Sequence, residues 1–186
     1  MSKTLEEKTI KKERIFKGKV VELEVQDVLL PNGNESKREI IHHPGAVAVI
    51  AFTIEQKLIL VKQFRKALEK VIAEIPAGKL EKGEDPLECA KRELEEETGI
   101  VAHSWTKLHS FYTSPGFANE IVHVYLAKDL KKGTINLDED EFVEKIEVTK
   151  EEAEKLVENE VIHDAKTLYA MQYWELMMGR TEKDNA

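Results

Sequence analysis

The residues with the strongest chemical signature are four glutamates crowded into one predicted helix. Glu93 and Glu97 are one helical turn apart, and Glu95 and Glu96 lie between them. Like charges at neighbouring helical positions repel each other, at a cost of about 0.2–0.5 kcal/mol per pair. A bound divalent cation would explain the crowding, because carboxylate oxygens are ligands of Mg²⁺ and similar hard ions. The alternative is a solvated acidic helix face, since surface charge is the common fate of glutamate.

The flanking residues predict where the helix that carries these glutamates begins and ends. Asp85 followed by Pro86 is typical of a helix start, with an N-cap before a proline at the first helical position. Glu88 is expected to complete a capping box. Gly99 is a C-cap signal, so the helix is predicted to run from about Pro86 to Thr98.

Three further residues of the same stretch have predicted roles. Gly78 and Gly83 precede the helix and are expected to form turns whose backbone conformations other residues rarely adopt. Arg92 can reach Glu88 or Glu96 and is expected to hold one of these carboxylates beside the cation site.

The whole stretch resembles the Nudix box, Gly-x5-Glu-x7-Arg-Glu-U-x-Glu-Glu-x-Gly-U, in which U is an aliphatic residue. It matches at every specified position, which are Gly78, Glu84, Arg92-Glu93-Leu94, Glu96-Glu97 and Gly99-Ile100. The resemblance implies a hydrolase that cleaves nucleoside diphosphates linked to another moiety and uses a divalent metal. A chance match of the whole pattern is rare, so the reading as a plain acidic surface is disfavoured.

A second resemblance narrows the family. Pro115 lies sixteen residues after Gly99, where ADP-ribose pyrophosphatases of the Nudix family carry a proline. Further similarity lies in Arg38-Glu39-Ile40, Gln63-Phe64-Arg65, Glu74-Ile75-Pro76-Ala77-Gly78 and Asp138-Glu139-Asp140-Glu141.

This resemblance implies roles for particular residues. The metal ligands would be the backbone carbonyl of Ala77 and the side chains of Glu93, Glu97 and Glu141. Glu139 would be the base that activates water, with Glu96 as the alternative base. The substrate-binding residues would be Arg38, Glu39, Arg65, Lys79, Ser114, Pro115, Gly116 and Glu120.

The resemblance also implies how the substrate and a second subunit are arranged. Arg38 and Arg65 would hold the adenosine and phosphate end, where an arginine over a purine face makes a favourable cation–π pair. Ser114, Gly116 and Glu120 would line the ribose-phosphate side. The N-terminal sheet would exchange with a partner subunit, which implies a homodimer.

Composition bounds the protein class. The chain has 186 residues with 41% hydrophobic residues and a formal net charge of −8. Its acidity argues against a nucleic-acid partner, and it predicts that an anionic substrate binds with the help of divalent cations. There is no apolar run long enough to span a bilayer and no signal peptide, so no membrane partner is expected. A single cysteine fits a reducing cytoplasm.

The order of the predicted strands around one central helix and two later helices predicts an α+β protein in which helices sandwich a mixed β-sheet. The resemblance implies the Nudix fold, an α/β/α sandwich built on a mixed β-sheet. Residues 1–43 are predicted to form a small antiparallel sheet that precedes the main domain at residues 44–180, with a tail at 181–186. Two later helices are predicted, one from Lys150 to about Asn159 and one from Ala165 to Met178 that ends at Gly179.

The functional prediction is metal-dependent hydrolysis of ADP-ribose to AMP and ribose 5-phosphate, with Mg²⁺ as the expected ion and Mn²⁺ as an alternative. Another nucleoside diphosphate sugar, such as GDP-mannose, is an alternative substrate. A non-catalytic Nudix domain that senses nucleotides is a second alternative, disfavoured because Glu93, Glu96 and Glu97 are all present. Pyrophosphate hydrolysis at RNA ends is disfavoured by the acidic charge balance.

Overall fold

The structure is a computed structural model that describes residues 5–136 and 142–184, with side chains described as far as residue 179. Within these ranges the chain forms strands and three helices in an α+β order. The strands are β1 (Lys8–Lys17), β2 (Glu22–Leu29), β3 (Glu35–His42), β4 (Ala46–Ala51), β5 (Leu58–Arg65), β6 (Lys70–Glu74), β7 (Ala77–Lys79), β8 (Ile100–Tyr112), β9 (Ile121–Lys132) and β10 (Val143–Val148). The helices are α1 (Pro86–Thr98), α2 (Lys150–Glu158) and α3 (Ala165–Asp184).

The chain groups into two compact units. The first comprises Met1–Gly45 and Phe111–Ile121, and the second comprises Ala46–Ser110 and Val122–Ala186. The boundaries predicted at residues 43 and 180 stay predictions. None of the described helices is long and apolar enough to cross a membrane.

The first unit contains the predicted N-terminal antiparallel sheet, in the order β1-β2-β3. A tight turn joins β2 to β3, with Gly33 at a φ of 87° and the Asn34 amide donating to Oδ1 of Asn32 at 3.0 Å. Asparagine and glycine favour such turns because both tolerate left-handed backbone conformations. Every residue of β1 is exposed, so this outer strand buries little apolar surface in the single chain.

The second unit contains the predicted mixed sheet. Four strands lie in the order β7-β4-β9-β8, with β4 parallel to β9 and antiparallel to β7. A second sheet, in the order β10-β5-β6, is antiparallel. β4 is the most buried strand, and its uninterrupted apolar run suits a strand covered on both faces.

Helices cover β4 on both sides, as the sandwich prediction requires. Val47 and Val49 point towards α1 and share a buried cluster with Cys89, Ala90 and Leu94 of that helix. Side chains alternate between the two faces of a strand, so residues at even positions point away from α1. Phe52, just past β4, contacts the ring of Trp174 on α3 at a centroid distance of 5.1 Å.

The ends of α1 are set largely as the sequence predicts. Oδ1 of Asp85 accepts the amides of Leu87 and Glu88 at 2.9 and 3.3 Å, and Gly99 closes the helix at a φ of 65°. The predicted capping role of Glu88 is wrong, because its carboxylate accepts a hydrogen bond from Lys91 at 2.7 Å instead. Lysine three residues further along the helix lies within easy reach of that carboxylate.

The end of α3 and the short strand β7 differ from the predictions. α3 continues through Gly179 to Asp184, so the predicted helix end is wrong: the glycine signal does not stop a helix that is already established. β7 was missed because three residues are too few to show an apolar period, although pairing with β4 stabilises them.

Candidate active site

The candidate site is built where α1 passes along β7. Glu93 and Glu97 lie on the face of α1 that is turned to this strand, and they are only 8% and 4% exposed. A buried carboxylate is costly unless it is paired or binds a metal. The low exposure of both side chains therefore contradicts the reading of this helix as a plain solvated acidic face.

Gly78 makes room for the carboxylate of Glu93. A Cβ atom added to Gly78 would lie 1.8 Å from Cδ of Glu93 and 1.9 and 2.2 Å from its two carboxylate oxygens. The predicted role of Gly78 as a turn residue is wrong, because it lies inside β7 without a positive φ. Glycine is needed here because any side chain would displace the glutamate.

The carboxylate of Glu97 is fixed against the neighbouring residue. Its Oε2 accepts the backbone amide of Ala77 at 3.0 Å. Glu93 and Glu97 thus direct their carboxylates at two successive residues, Ala77 and Gly78, of one short strand. The backbone carbonyl of Ala77, a predicted metal ligand, belongs to the same strand.

Arg92 holds the remaining carboxylates of the motif. Its Nε and Nη2 donate to the two carboxylate oxygens of Glu84 at 3.0 and 3.2 Å, and its Nη1 donates to Glu93 at 2.8 Å and Glu96 at 3.0 Å. The predicted pairing with Glu96 is present, whereas Glu88 pairs with Lys91. A guanidinium shared among three carboxylates reduces their mutual repulsion and fixes their positions.

These contacts shift the protonation equilibria of the site. The hydrogen bonds from Arg92 lower the pKa of Glu84 to about 2, and those carboxylates in turn raise the pKa of Arg92. Burial raises the pKa of the Cys89 thiol to about 12, so this cysteine is neutral and serves in packing. Glu84 and Arg92 therefore stay charged throughout the neutral range.

The donor set fits a hard divalent cation. Glu93 and Glu97 supply buried carboxylate oxygens, and Ala77 has a carbonyl oxygen on the adjoining strand; oxygen ligands of this kind suit Mg²⁺ and Mn²⁺. Among the described residues no cluster of three or more His, Cys, Asp or Glu side chains is spaced to hold a metal. The further predicted residues, Glu139 and Glu141, lie outside the described residues.

The other predicted residues of the second unit are Arg65 and Lys79. Nε of Arg65 donates to Oε2 of Glu74 at 2.6 Å, and Glu74 is only 3% exposed. Lys79 is the last residue of β7; its side chain is exposed, and its backbone oxygen faces the Cys89 thiol at 3.6 Å.

In the first unit, Arg38 is the most extensively bonded of the predicted residues. Its Nε and Nη2 donate to the two carboxylate oxygens of Glu7 at 2.8 and 2.6 Å. Its Nη1 donates to Oγ of Ser36 at 3.0 Å and to the backbone oxygen of Lys37 at 2.9 Å. Glu39 lies on the same strand with its side chain exposed.

The segment with the predicted Ser114, Pro115, Gly116 and Glu120 is a turn attached to β3. The backbone oxygen of Ser114 accepts the amides of residues 117 and 118, while Pro115 and Gly116 are exposed. Glu120 accepts a hydrogen bond from the Thr113 hydroxyl at 2.6 Å. The first unit thus brings this turn together with the strand that carries Arg38 and Glu39.

Sequence reasoning missed three contributors to these contacts. Glu84 was noted only as a motif position, although its spacing from Arg92 places it at the mouth of the same helix. Glu74 carried a signal that could have been used, because a charged residue in an otherwise apolar strand requires a buried partner. Glu7 gave no signal, since one glutamate in a Lys/Glu-rich segment is unremarkable.

Comparisons with known proteins agree on one family. The family described as NUDIX domain matches residues 22–171. The chain is 65% identical over 176 residues to an ADP-ribose pyrophosphatase of Bacillus subtilis (strain 168), covering 94% of this chain and 95% of the relative. It is 60% identical over 178 residues to a methanol dehydrogenase activator of Bacillus methanolicus, covering 95% of this chain and 96% of the relative.

A solved structure of an ADP compounds hydrolase matches the fold with a TM-score of 0.83. The two chains are 22% identical in sequence, and the match covers 96% of this chain and 98% of the other. The match along most of the chain, together with the complete box on α1, establishes that this protein belongs to the Nudix family and is a Nudix hydrolase.

Proposed function

We propose that this protein hydrolyses ADP-ribose to AMP and ribose 5-phosphate with the help of Mg²⁺. The observation that carries the proposal is the pair of buried carboxylates, Glu93 and Glu97, held against the two successive residues Ala77 and Gly78. The identity of 65% to a protein named ADP-ribose pyrophosphatase supports the choice of substrate. Nudix hydrolases generally use divalent metal ions, and Mn²⁺ would suit the same oxygen ligands.

The chemistry requires charge neutralisation and an activated water. The negative charge of a diphosphate repels hydroxide, and a divalent ion, when bound, would neutralise that charge and make a bound water more acidic. Water adds to one phosphorus, the bridging phosphorus–oxygen bond breaks, and the two halves leave as AMP and ribose 5-phosphate. Glu93, Glu97 and the Ala77 carbonyl would hold the ion, and Glu141 is proposed as a further ligand.

We propose Glu139 as the base that takes the proton from water, with Glu96 as the alternative. Nη1 of Arg92 donates to the carboxylate of Glu96 at 3.0 Å, which opposes its use as a base because this ion pair holds the carboxylate beside Arg92. Glu139→Gln should reduce turnover and largely spare substrate affinity. If Glu96→Gln has that effect instead and Glu139→Gln abolishes binding, the assignment of the base is wrong.

The remaining roles implied by the resemblance are kept as proposals. Arg38 and Arg65 would hold the adenosine and phosphate end of the substrate. Ser114, Gly116 and Glu120 would line the ribose-phosphate side. The further proposed substrate-binding residues are Glu39, Lys79 and Pro115. We also propose that the protein is a cytoplasmic homodimer; a light-scattering mass equal to one chain would refute the dimer.

The deciding experiment is a substrate panel with identified products. Purified protein is incubated with Mg²⁺ and, separately, ADP-ribose, GDP-mannose and UDP-glucose, and products are identified by mass spectrometry. AMP and ribose 5-phosphate from ADP-ribose, lost on chelation and restored by added Mg²⁺, are expected. Cleavage of GDP-mannose in preference to ADP-ribose would refute the proposed substrate. Tight binding of ADP-ribose without turnover would instead show a nucleotide sensor.

A further inference from the structure

The two arginines proposed to contact the substrate differ in how many of their N–H groups are already bonded within the protein. Arg38 uses both Nε and Nη2 on the carboxylate of Glu7, and its Nη1 is engaged by Ser36 and Lys37. Four of its five N–H groups are therefore occupied by the protein itself. Arg38 retains its flat faces but cannot offer a free pair of donors to a phosphate without first releasing Glu7.

Arg65 is bonded differently. Its Nε donates to Oε2 of Glu74 at 2.6 Å, and across the described ranges no hydrogen bond from Nη1 or Nη2 of Arg65 is present. Its side chain is 39% exposed. Arg65 is thus held through Nε, while the four N–H groups of Nη1 and Nη2 are available to bind an anion in bidentate geometry.

Lys166 contacts the same carboxylate as Arg65. The ammonium of Lys166, on α3, contacts the other oxygen of Glu74, Oε1, and also pairs with Oδ1 of Asp164 at 2.8 Å. A carboxylate oxygen can accept two hydrogen bonds, but the positive charge of the ammonium at Oε1 repels a second cationic donor, and Arg65 bonds only Oε2 of Glu74. Glu7, whose carboxylate has no such lysine on it among the described contacts, captures both Nε and Nη2 of Arg38.

The position of Lys166 is fixed by the fold. The hydroxyl of Thr167, the next residue of α3, is fully buried and accepts the backbone amide of Ile75 at 3.0 Å. Glu74 and Ile75 lead directly into Pro76 and β7, where Ala77 and Gly78 meet the glutamates of α1. The first turn of α3 therefore holds the segment that runs from Glu74, the partner of Arg65, to the proposed metal site at Ala77.

We propose that Lys166 is a positioning residue for substrate binding. By placing its positive charge at Oε1 of Glu74, it disfavours a bidentate pair between Arg65 and that buried carboxylate, and so keeps the Nη groups of Arg65 available for the diphosphate of the substrate. The proposal rests on the proposed function for the identity of the anion. Lys166 itself does not touch the substrate.

The test compares Lys166→Met with the same substitution at Lys150, another partly buried lysine whose ion pair involves α3. Lys150 on α2 also pairs with α3, through Glu175 at 3.4 Å, and its side chain is 24% exposed against 16% for Lys166. Binding of ADP in the presence of Mg²⁺ is measured by calorimetry, together with KM and kcat for ADP-ribose. Lys166→Met should weaken ADP binding and raise KM about tenfold, because Arg65 loses one charge-assisted hydrogen bond to the diphosphate. It should change kcat less than about threefold. Lys150→Met should change neither.

Two further variants make the result specific. Lys166→Arg should keep ADP binding close to that of the wild type, because a guanidinium also places a positive charge at Oε1 of Glu74. Arg65→Lys should weaken ADP binding, and Lys166→Met added to it should weaken binding no further, because both changes act on one contact. If Lys166→Met lowers the folded fraction at the assay temperature, Lys166→Gln, which keeps an N–H donor but not the charge, is expected to show the same loss.

Additive effects of Arg65→Lys and Lys166→Met would overturn the proposal. So would an affinity for ADP in Lys166→Met equal to that in Lys150→Met while Arg65→Lys binds weakly. Failure of the wild type to cleave ADP-ribose would refute the proposed function alone, because ADP binding still reports on Arg65.

Discussion

Gly78→Ala should separate the activity of this protein from its stability. The added methyl group would start 1.8 Å from Cδ of Glu93, whereas contacts to a real Cβ are essentially never under 3.0 Å. The carboxylate must therefore move by more than about 1 Å. It is the end of a flexible side chain, so it can rotate away without disturbing the backbone of β7 or α1.

The two consequences have different magnitudes. A displacement of about 1 Å at a reacting centre can cost about a hundredfold in rate, so kcat/KM should fall at least about a hundredfold. The free energy of unfolding should change by less than about 1 kcal/mol. Alanine lowers the conformational entropy of the unfolded chain, which stabilises the fold by about 0.4–1 kcal/mol and offsets part of the cost of moving the carboxylate. Mg²⁺ affinity should fall together with the rate.

The assay is ADP-ribose turnover at saturating and limiting Mg²⁺, with thermal unfolding measured on the same samples. Gly33→Ala is the matched control. Gly33 has a φ of 87° and no atom within 4 Å of an added Cβ, so this change strains the backbone without touching a carboxylate. It should cost about 1–2 kcal/mol of stability, or several degrees in Tm, and leave kcat/KM unchanged.

Near-normal turnover by folded Gly78→Ala would refute the reasoning, since Glu93 would then tolerate displacement and could not be a required ligand. Equal losses of activity in the two glycine variants would also contradict it. Such a result would tie activity to general stability and not to the space beside Glu93.

Three further outcomes are expected. Glu97→Gln should lower kcat by several orders of magnitude with little change in Tm, because an amide oxygen can still accept the Ala77 amide but carries no charge for a metal; a near-normal rate would refute the ligand assignment. Glu84→Gln should weaken the pH dependence of the free energy of unfolding at acid pH. The pKa of Glu84 is lowered from 4.5 to about 2 in the folded protein, so its pairing with Arg92 stabilises the fold fully above pH 4.5 and is lost as the pH falls towards about 2. Identical urea-unfolding profiles of the two proteins between those pH values would contradict this. Thr149→Ala removes the observed capping box of α2 and should cost about 1 kcal/mol without affecting turnover; an unchanged Tm would show that the cap contributes nothing.

The sequence by itself determined the family, the central helix and the identity of its acidic residues. The box needs no tertiary information, because its spacing is read along one helix and the loop before it. The ends of α1 followed from Asp85, Pro86 and Gly99, whose local backbone preferences act within a few residues. The layers followed from the apolar strands and the two later helices, and the mixed sheet and the sandwich were predicted correctly.

The tertiary structure decided which residues touch across long stretches of sequence. The approach of Gly78 to Glu93 depends on how closely β7 packs on α1, and the register of a three-residue strand has no sequence signal of its own. The contrast between Arg38 and Arg65 depends on which carboxylate lies beside each guanidinium and on whether a lysine from α3 reaches the same carboxylate. Local preferences act over a few residues, whereas these contacts join segments up to 92 residues apart, so only the packed chain specifies them.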